Sequence, residues 1–585
     1  MGSRKKHRTH VAKRNNIRRK NAGEQKGSND LLLPIVLIIA VLPFVIYFKE
    51  YYSGLARFDW YGIDDTVTDF YSFYKSRFLV CIAAVCVIIL LFRLPLYPEK
   101  RKSLKPFLPL LGYAGLVVLS TFFSIDSEMS LTGAPYLYEN VFVLLSYAVI
   151  CFYTYQILEG EKDYLTLHGA MLVMMGLMLV CGLMQIAGKD PVNMTWFQKL
   201  VMSKADEAVY LGSFEDVFTR SYVYLTTMNP NYAGHFLAMA LTYVFAFLRT
   251  ETQKKKRLFY GVLGIALFIL LWFTYSRGAL VAMLAGIAVI AVCTGTFRDR
   301  KAVLMGVGIA AAAFVFAVLI DAAGGFHFFG RMFDKREEIR LEQITTGEKV
   351  TIVYNGQTQV LDDLEEGEVR TVSLDGRDWN FTRKNNTYYY INEFGKYDQI
   401  PPVSSVRFGG YEYLGSGRLY IWSRVVPLLG KYFFLGSGPD TFIEAFPQDD
   451  YVGKANYSHS VTMYIEKAHN GYLMSFVQTG FPALCCLLVF AVSACLKMRR
   501  RLREMFLESN RLQRTMSSGE GSAACADRGG LVTGYCSRMQ LASYGVICAY
   551  AAGLLWNDST LFTTPPACVC MGILAVGAFE KSVLS

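Results

Sequence analysis

Runs of about twenty apolar residues recur along this chain, and loops between alternate runs collect the basic residues. The runs are Leu31–Phe48 and, approximately, 78–92, 104–123, 136–158, 164–187, 221–248, 258–274, 278–296, 303–320, 472–496, 541–556 and 560–579. A hydrocarbon layer accepts such a run as a helix, because a helix satisfies its own backbone polar groups. The expectation is an all-α polytopic membrane protein with about 12 transmembrane helices. Leu31–Phe48 is too long for a signal-peptide core and has no small-residue cleavage site, so it counts as the first span. Composition agrees: 53% of the residues are hydrophobic and only 18% are charged, far from a soluble multidomain pattern.

Charge placement orients the helices. Residues 1–30 form a basic tail. The loops 93–105 (Arg93, Lys100, Arg101, Lys102), 249–257 (Arg249, Lys254, Lys255, Lys256), 297–302 (Arg298, Arg300, Lys301) and 497–540 (Lys497, Arg499, Arg500, Arg501) are basic as well. The loops at 49–77, 124–135 and 188–220 are neutral or acidic. Positive loops stay inside, so both termini are expected to be cytoplasmic in a bacterial inner membrane, with the turn at 159–163 as the one exception. The net charge of +11 then reflects topology and lipid contact rather than nucleic acid. Most of the thirteen cysteines lie in apolar runs and none lies in 321–468, which argues against disulfides.

The same topology makes 321–471 a large extracytoplasmic loop. Within it, about 344–412 reads as a small β-rich insert. Asn355-Gly356 and Asp375-Gly376 each join two strand-like segments, and both dipeptides favour type I′ hairpins. Helical patterns are expected at about 417–430 and 460–470. Span 472–496 follows, then the cytoplasmic loop 497–540 and the last two spans within 541–585.

Four polar groups fall at the outer face. Asn231 and His235, in Met228-Asn-Pro-Asn-Tyr-Ala-Gly-His235, are four apart and share a helix face; alone they also read as a helix start with Pro230 in its first turn. Arg277, in Tyr275-Ser-Arg-Gly, is wedged between two spans, where an arginine either snorkels or serves function. Arg418 opens a helix after Gly415-Ser-Gly417, either as a surface cation or at an anion site. His469-Asn470 marks the entry to the span at 472, with Asn470 also a helix cap. Two outward arginines and a histidine suit a diphosphate donor attacked by a hydroxyl. Guanidinium grips phosphate oxygens in pairs, and a neutral imidazole takes the hydroxyl proton. The chain has no Walker loop, dinucleotide fingerprint or acidic metal pair in an outer loop, so neither nucleotide nor metal is expected.

His469-Asn470, nine residues, then Gly480-Phe-Pro-Ala483 resembles the H-[NSQ]-x9-G-x-x-G signature of the O-antigen ligase and polymerase superfamily. Asn229-Pro-Asn231, Ser276-Arg277-Gly278, Gly417-Arg418 with Trp422, and Leu435-Gly-Ser-Gly-Pro follow in the order that family shows. The chain departs from the pattern at Ala483, where the signature has its last glycine. It also departs at Leu280, which lies one residue early in the arginine-x3-Leu motif, and in the β insert. The resemblance implies transfer of an assembled glycan from undecaprenyl diphosphate to an acceptor hydroxyl, with no cofactor. His469 would be the base, and Arg277 and Arg418 would hold the diphosphate. Asn470, Asn231 and His235 would complete the substrate site. A ligase acting on protein, a flippase of lipid-linked glycans and a membrane sensor are the rival readings.

Overall fold

The computed structural model describes residues 30–213, 222–296, 339–409, 411–458, 460–517 and 534–580. The expected span at 303–320 and nearly all of the basic tail lie outside the described residues. The protein is mostly helical. Its apolar helices are α1 (Asp30–Phe44), α2 (Phe73–Leu96), α3 (Leu108–Phe122), α4 (Val141–Ile157), α5 (Glu161–Ile186), α6 (Pro230–Thr250), α7 (Lys254–Trp272) and α8 (Arg277–Cys293). After the large loop come α9 (Arg418–Lys431), α10 (Gly471–Thr479), α11 (Phe481–Ser517), α12 (Tyr535–Gly553) and α13 (Thr564–Phe579). Among the described residues, 5 helices are long and apolar enough to cross a membrane: α2, α3 taken with the turn before it (Lys105–Phe122), α5, α6 and the Phe481–Glu508 part of α11. Helices α1, α4, α8 and α13 are apolar but shorter.

Helix α6 is the hub. Its apolar window is 83% buried, against 28% for α11 and 39% for α5, and α7, α8 and α12 pack around it. The outer helices instead turn large apolar side chains outward, such as Leu91 and Phe92 on α2 and Val489 and Val492 on α11. That suits an apolar solvent. At the C-terminal end of α6, Glu251 pairs with Arg538 at 2.9 Å, both nearly fully buried. The opposite end of α6 carries the polar groups considered below.

One expected span is divided. The run 472–496 forms α10 and the start of α11, separated at Gly480. Gly480 has φ +84, and a Cβ there would stand 2.3 Å from the Phe434 carbonyl oxygen. Gly436 meets the same joint from the other side: its φ is +77, and a Cβ would lie 2.2 Å from the Gln478 carbonyl oxygen. Only glycine fits so close a crossing. The Leu435-Gly-Ser-Gly turn is thereby locked to the end of α10, with Ser437 N–H donating to Val477 O and Gly438 N–H to Gln478 O.

The same turn seats Asp440, which is 1% exposed, with its Oδ2 accepting from Ala134 N–H at 2.8 Å. Burial pushes this carboxyl up to about 8. A raised folded-state value means that the contribution to stability is complete below the ordinary carboxylate value and is lost as pH rises through about 8. The thermal midpoint of the purified protein is expected to fall over that window. Asp440→Asn, which cannot ionise, is expected to flatten the fall.

A small β-ribbon, β1 (Lys49–Tyr52) with β2 (Thr66–Asp69), joins α1 to α2. The insert forms two antiparallel sheets. The first contains β3 (Leu341–Thr345), β4 (Val350–Tyr354) and β5 (Gln357–Leu361). The second contains β6 (Val369–Leu374), β7 (Arg377–Lys384), β8 (Thr387–Ile391) and β9 (Tyr397–Asp398). Tyr354 pairs with Gln357 and Leu374 with Arg377 across two-residue turns whose central residues all have positive φ, as type I′ requires. A third such turn, Asn385-Asn386, links β7 to β8. Trp379, Phe381 and Tyr390 pack with Val350 and Ile352 against Tyr451 and Val452. The sheets thus sit on the short helix Tyr451–Tyr457.

Residues 460–470, expected as a helix, run as turn and extended chain. Side chains claim their backbone: the Gln448 amide bonds both N–H and C=O of Ile465, and Trp422 Nε1 donates to Ala468 O at 2.8 Å. A helix would have needed those groups for itself. For the expected outward orientation, a cysteine at Asn355 should react with a membrane-impermeant thiol reagent in intact cells. One at Lys255 should react only after lysis, and reversed labelling would invert the topology.

Candidate functional site

The site is built where the extended segment 466–470 meets the turn after α12. His469 has φ +51, a left-handed conformation in which histidine is more frequent than most side chains. Asn470 then caps α10, its Oδ1 accepting from the N–H groups of Tyr472 at 3.0 Å and Leu473 at 3.1 Å. Its Nδ2 donates to Leu555 O, and Gly471 N–H donates to Leu554 O and Asn557 O. These bonds hold the 554–558 turn against the signature histidine. Asn470 is thus both the helix cap and the clamp.

The clamp delivers Asp558. Its Oδ1 accepts from Asn470 N–H at 3.1 Å, and its Oδ2 lies 3.3 Å from His469 Nδ1. That second distance is an ion-pair contact rather than a formed hydrogen bond, since Oδ2 has no hydrogen-bond partner among the described residues. The Asp558 side chain is 2% exposed and that of His469 32%. The imidazole is thus partly exposed in front of a buried carboxylate.

Trp556 ties in the cations. It lies against Gly278, where a Cβ would meet its Cβ at 2.9 Å, and it packs beside Trp422 at 5.9 Å. Arg277 and Arg418 begin the two helices that carry those contacts, α8 and α9. Arg277 is exposed. Arg418 Nη1 donates to Gly415 O at 3.1 Å, while its buried Nε has no partner among the described residues. Burial pulls its guanidinium below the ordinary arginine value. Asp558 and Tyr232 oppose that shift, and Arg277 adds to it. Both arginines and Asp558 therefore share one electrostatic neighbourhood.

Lys467 and Glu466 belong to it too. The Lys467 ammonium stands 4.5 Å over the Tyr232 ring. Its burial disfavours the charge, but Tyr232, Glu466 and Asp558 outweigh this and hold the group above the ordinary lysine value. Burial raises the Glu466 carboxyl, against the pull of Lys467 and His469.

The other two sequence candidates, Asn231 and His235, both lie on α6. Asn231 is in the first turn of α6, its N–H bonded to Asn229 Oδ1 at 2.8 Å. His235 is fully buried, stacked on Tyr550 at 5.2 Å with Nε2 3.1 Å from Tyr550 O. Gly553 leaves room for it, since a Cβ there would stand 2.1 Å from Nε2. That is the position of a packing residue between α6 and α12. The sequence reading missed Asp558, although a signal existed: Asp558 is the one ionised residue in the turn between the last two apolar runs. Lys467, Glu466, Tyr232 and Trp556 carried no signal of their own.

Fold and site together define a multi-pass membrane protein with arginines, a histidine and a buried carboxylate gathered at one end of its helical bundle. Residues 262–488 match the family model described as O-antigen ligase, and that stretch includes Arg277, Arg418, His469 and Asn470. Over that stretch, which is less than half of the chain, the protein is similar to the O-antigen ligase superfamily. Asp558 lies beyond the matched stretch. No curated protein matches the chain.

Proposed function

We propose that this protein transfers an assembled glycan from undecaprenyl diphosphate to an acceptor hydroxyl at the outer face of a bacterial inner membrane. The acceptor oxygen attacks the anomeric carbon of the donor glycan. The bond from that carbon to the diphosphate oxygen breaks, and its electron pair leaves with the lipid diphosphate. His469 Nε2 takes the acceptor proton, and Asp558 steadies the imidazolium that results. Arg418 and Arg277 receive the charge on the departing diphosphate without exchanging a proton.

The observation that carries this reading is the His469–Asp558 contact beside Arg418. A carboxylate behind a histidine orients the ring, which is what a general base needs to meet the acceptor hydroxyl. A flippase would instead be expected to line mid-depth of the bundle with polar groups. The direct test is purified protein supplied with a lipid-diphosphate glycan and an acceptor, scored by released lipid diphosphate and lengthened acceptor. Absence of transfer, with glycan crossing the bilayer intact, would favour the flippase.

Asp558→Asn is expected to lower turnover by about 10- to 100-fold, the worth of one charge-assisted contact. Insertion and donor binding should be retained, because an amide oxygen still accepts from Asn470 N–H. In a deletion strain, accumulation of single lipid-linked repeats would make the enzyme a polymerase. Accumulation of long chains would make it a ligase, onto glycan or protein.

A further inference from the structure

Beside His469 lies a second polar feature that the transfer step does not use. A cavity of ≈ 30 Å³ opens between the outer ends of α2 and α6 and the loop before α10, and Lys75, Tyr136, Glu139, Thr226, Tyr232 and Lys467 are among its lining residues. We propose that this cavity binds an anionic substituent of the glycan, a carboxylate or a phosphate group, through Lys75 and Lys467. The proposal rests on the transferase reading and names its substrate class as acidic glycans.

Lys75 is 2% exposed and Lys467 5%. The Lys75 ammonium donates to Thr226 O at 3.0 Å and stands 5.3 Å from the Phe562 ring. That of Lys467 faces Tyr232. Thr226, Phe562 and Tyr232 all line the cavity, so both ammonium groups end at its wall. Among the described residues neither forms an ion pair with a carboxylate. Lys75 has no ion pair among the described residues, so an incoming anion offsets the cost of burying its charge, while Lys467 is already held charged by Tyr232, Glu466 and Asp558.

Each nearby carboxylate has hydrogen-bond donors of its own, although Glu139 also lines the cavity and interacts electrostatically with Lys467. Glu139 accepts from Tyr147 OH at 2.6 Å and from Ser559 OH at 2.7 Å. Asp69 takes the backbone N–H groups at the start of α2. Asp558 takes Asn470 N–H and faces His469. Together with Glu466, Asp558 sustains the Lys467 charge without pairing with it. The volume is that of a substituent, about the space of a water or small ion, and not that of a sugar ring. Lys467 is two residues before His469, so the substituent belongs to a sugar next to the bond being made.

Full-length protein in zwitterionic lipid nanodiscs can be titrated with sodium glucuronate, glucose or inorganic phosphate, with binding read by saturation-transfer NMR and by displacement. Glucuronate is expected to bind where glucose does not, and phosphate to displace it. Phosphate binding without glucuronate binding, lost in Lys75→Met and Lys467→Gln, would assign the substituent as a phosphate. Lys467→Gln and Lys75→Met should each weaken anion binding about tenfold or more, Lys467→Arg should restore it, and Lys204→Gln, at an exposed lysine outside the cavity, should leave it within about twofold. Equal binding of glucuronate and glucose, no binding of either anion, or unchanged affinity in folded lysine variants would each overturn the proposal. So would an equal loss of binding in Lys204→Gln. Should the lysine variants unfold, the wild-type comparison of glucuronate, phosphate and glucose still decides. None of these readings needs turnover, so failure here is distinct from failure of the transferase assignment.

Discussion

His469→Ala is expected to lower glycan transfer by about 10²–10⁴-fold, the usual worth of a positioned general base. Binding of the lipid-diphosphate donor should be nearly unchanged, because the arginines assigned to the diphosphate stand on other helices, α8 and α9. The fold should also tolerate the change. The clamp to the 554–558 turn is made by Asn470 and Gly471, and His469 contributes one partly exposed ring. His235→Ala is expected to act differently, by opening a cavity between α6 and α12 and lowering stability more than chemistry. Purified variants at matched concentration, assayed for turnover and for thermal midpoint, separate the two. Equal transfer by His469→Ala and wild type would remove His469 from the chemistry.

Arg418→Lys and Arg277→Lys should each reduce transfer by about 10²-fold, although both keep the charge. A lysine supplies a point charge where a guanidinium supplies two parallel donors to a pair of phosphate oxygens. Arg418 should be the more sensitive of the two. Its Nε is buried without a partner among the described residues, whereas Arg277 is exposed. The measurement is turnover of inserted protein at saturating donor, repeated with chelator. Under this assignment chelation has no effect, since arginine and not metal carries the diphosphate. Wild-type rates in both lysine variants would return the arginines to a surface role.

Much of the architecture could be read without coordinates because membrane helices follow from local composition. Helix α2 and helix α5 fall on the runs at 78–92 and 164–187, since an apolar stretch of that length has few other ways to satisfy its backbone. The hairpins at Asn355-Gly356 and Asp375-Gly376 were legible for a similar reason: positive φ at two successive residues is a demand on those two residues alone. His469, Asn470, Arg277 and Arg418 stood out as polar side chains at the ends of apolar runs, where such residues are expensive.

What the sequence determined by itself, then, is whatever depends on a residue and its near neighbours: the helical membrane character, the type I′ turns and the signature histidine with its capping asparagine. Tertiary structure decided the break at Gly480, because it arises from the crossing of the Leu435–Gly438 turn over α10. It decided the extended course of 460–470, where Gln448 and Trp422 take the backbone groups that a helix would use. Only the fold could bring Asp558 to His469, 89 residues along the chain, and set Lys75 and Lys467 on one cavity. Pairings between distant residues leave no period or motif in a single sequence. They exist because α12 packs on α6 and carries the turn after it to the mouth of the bundle.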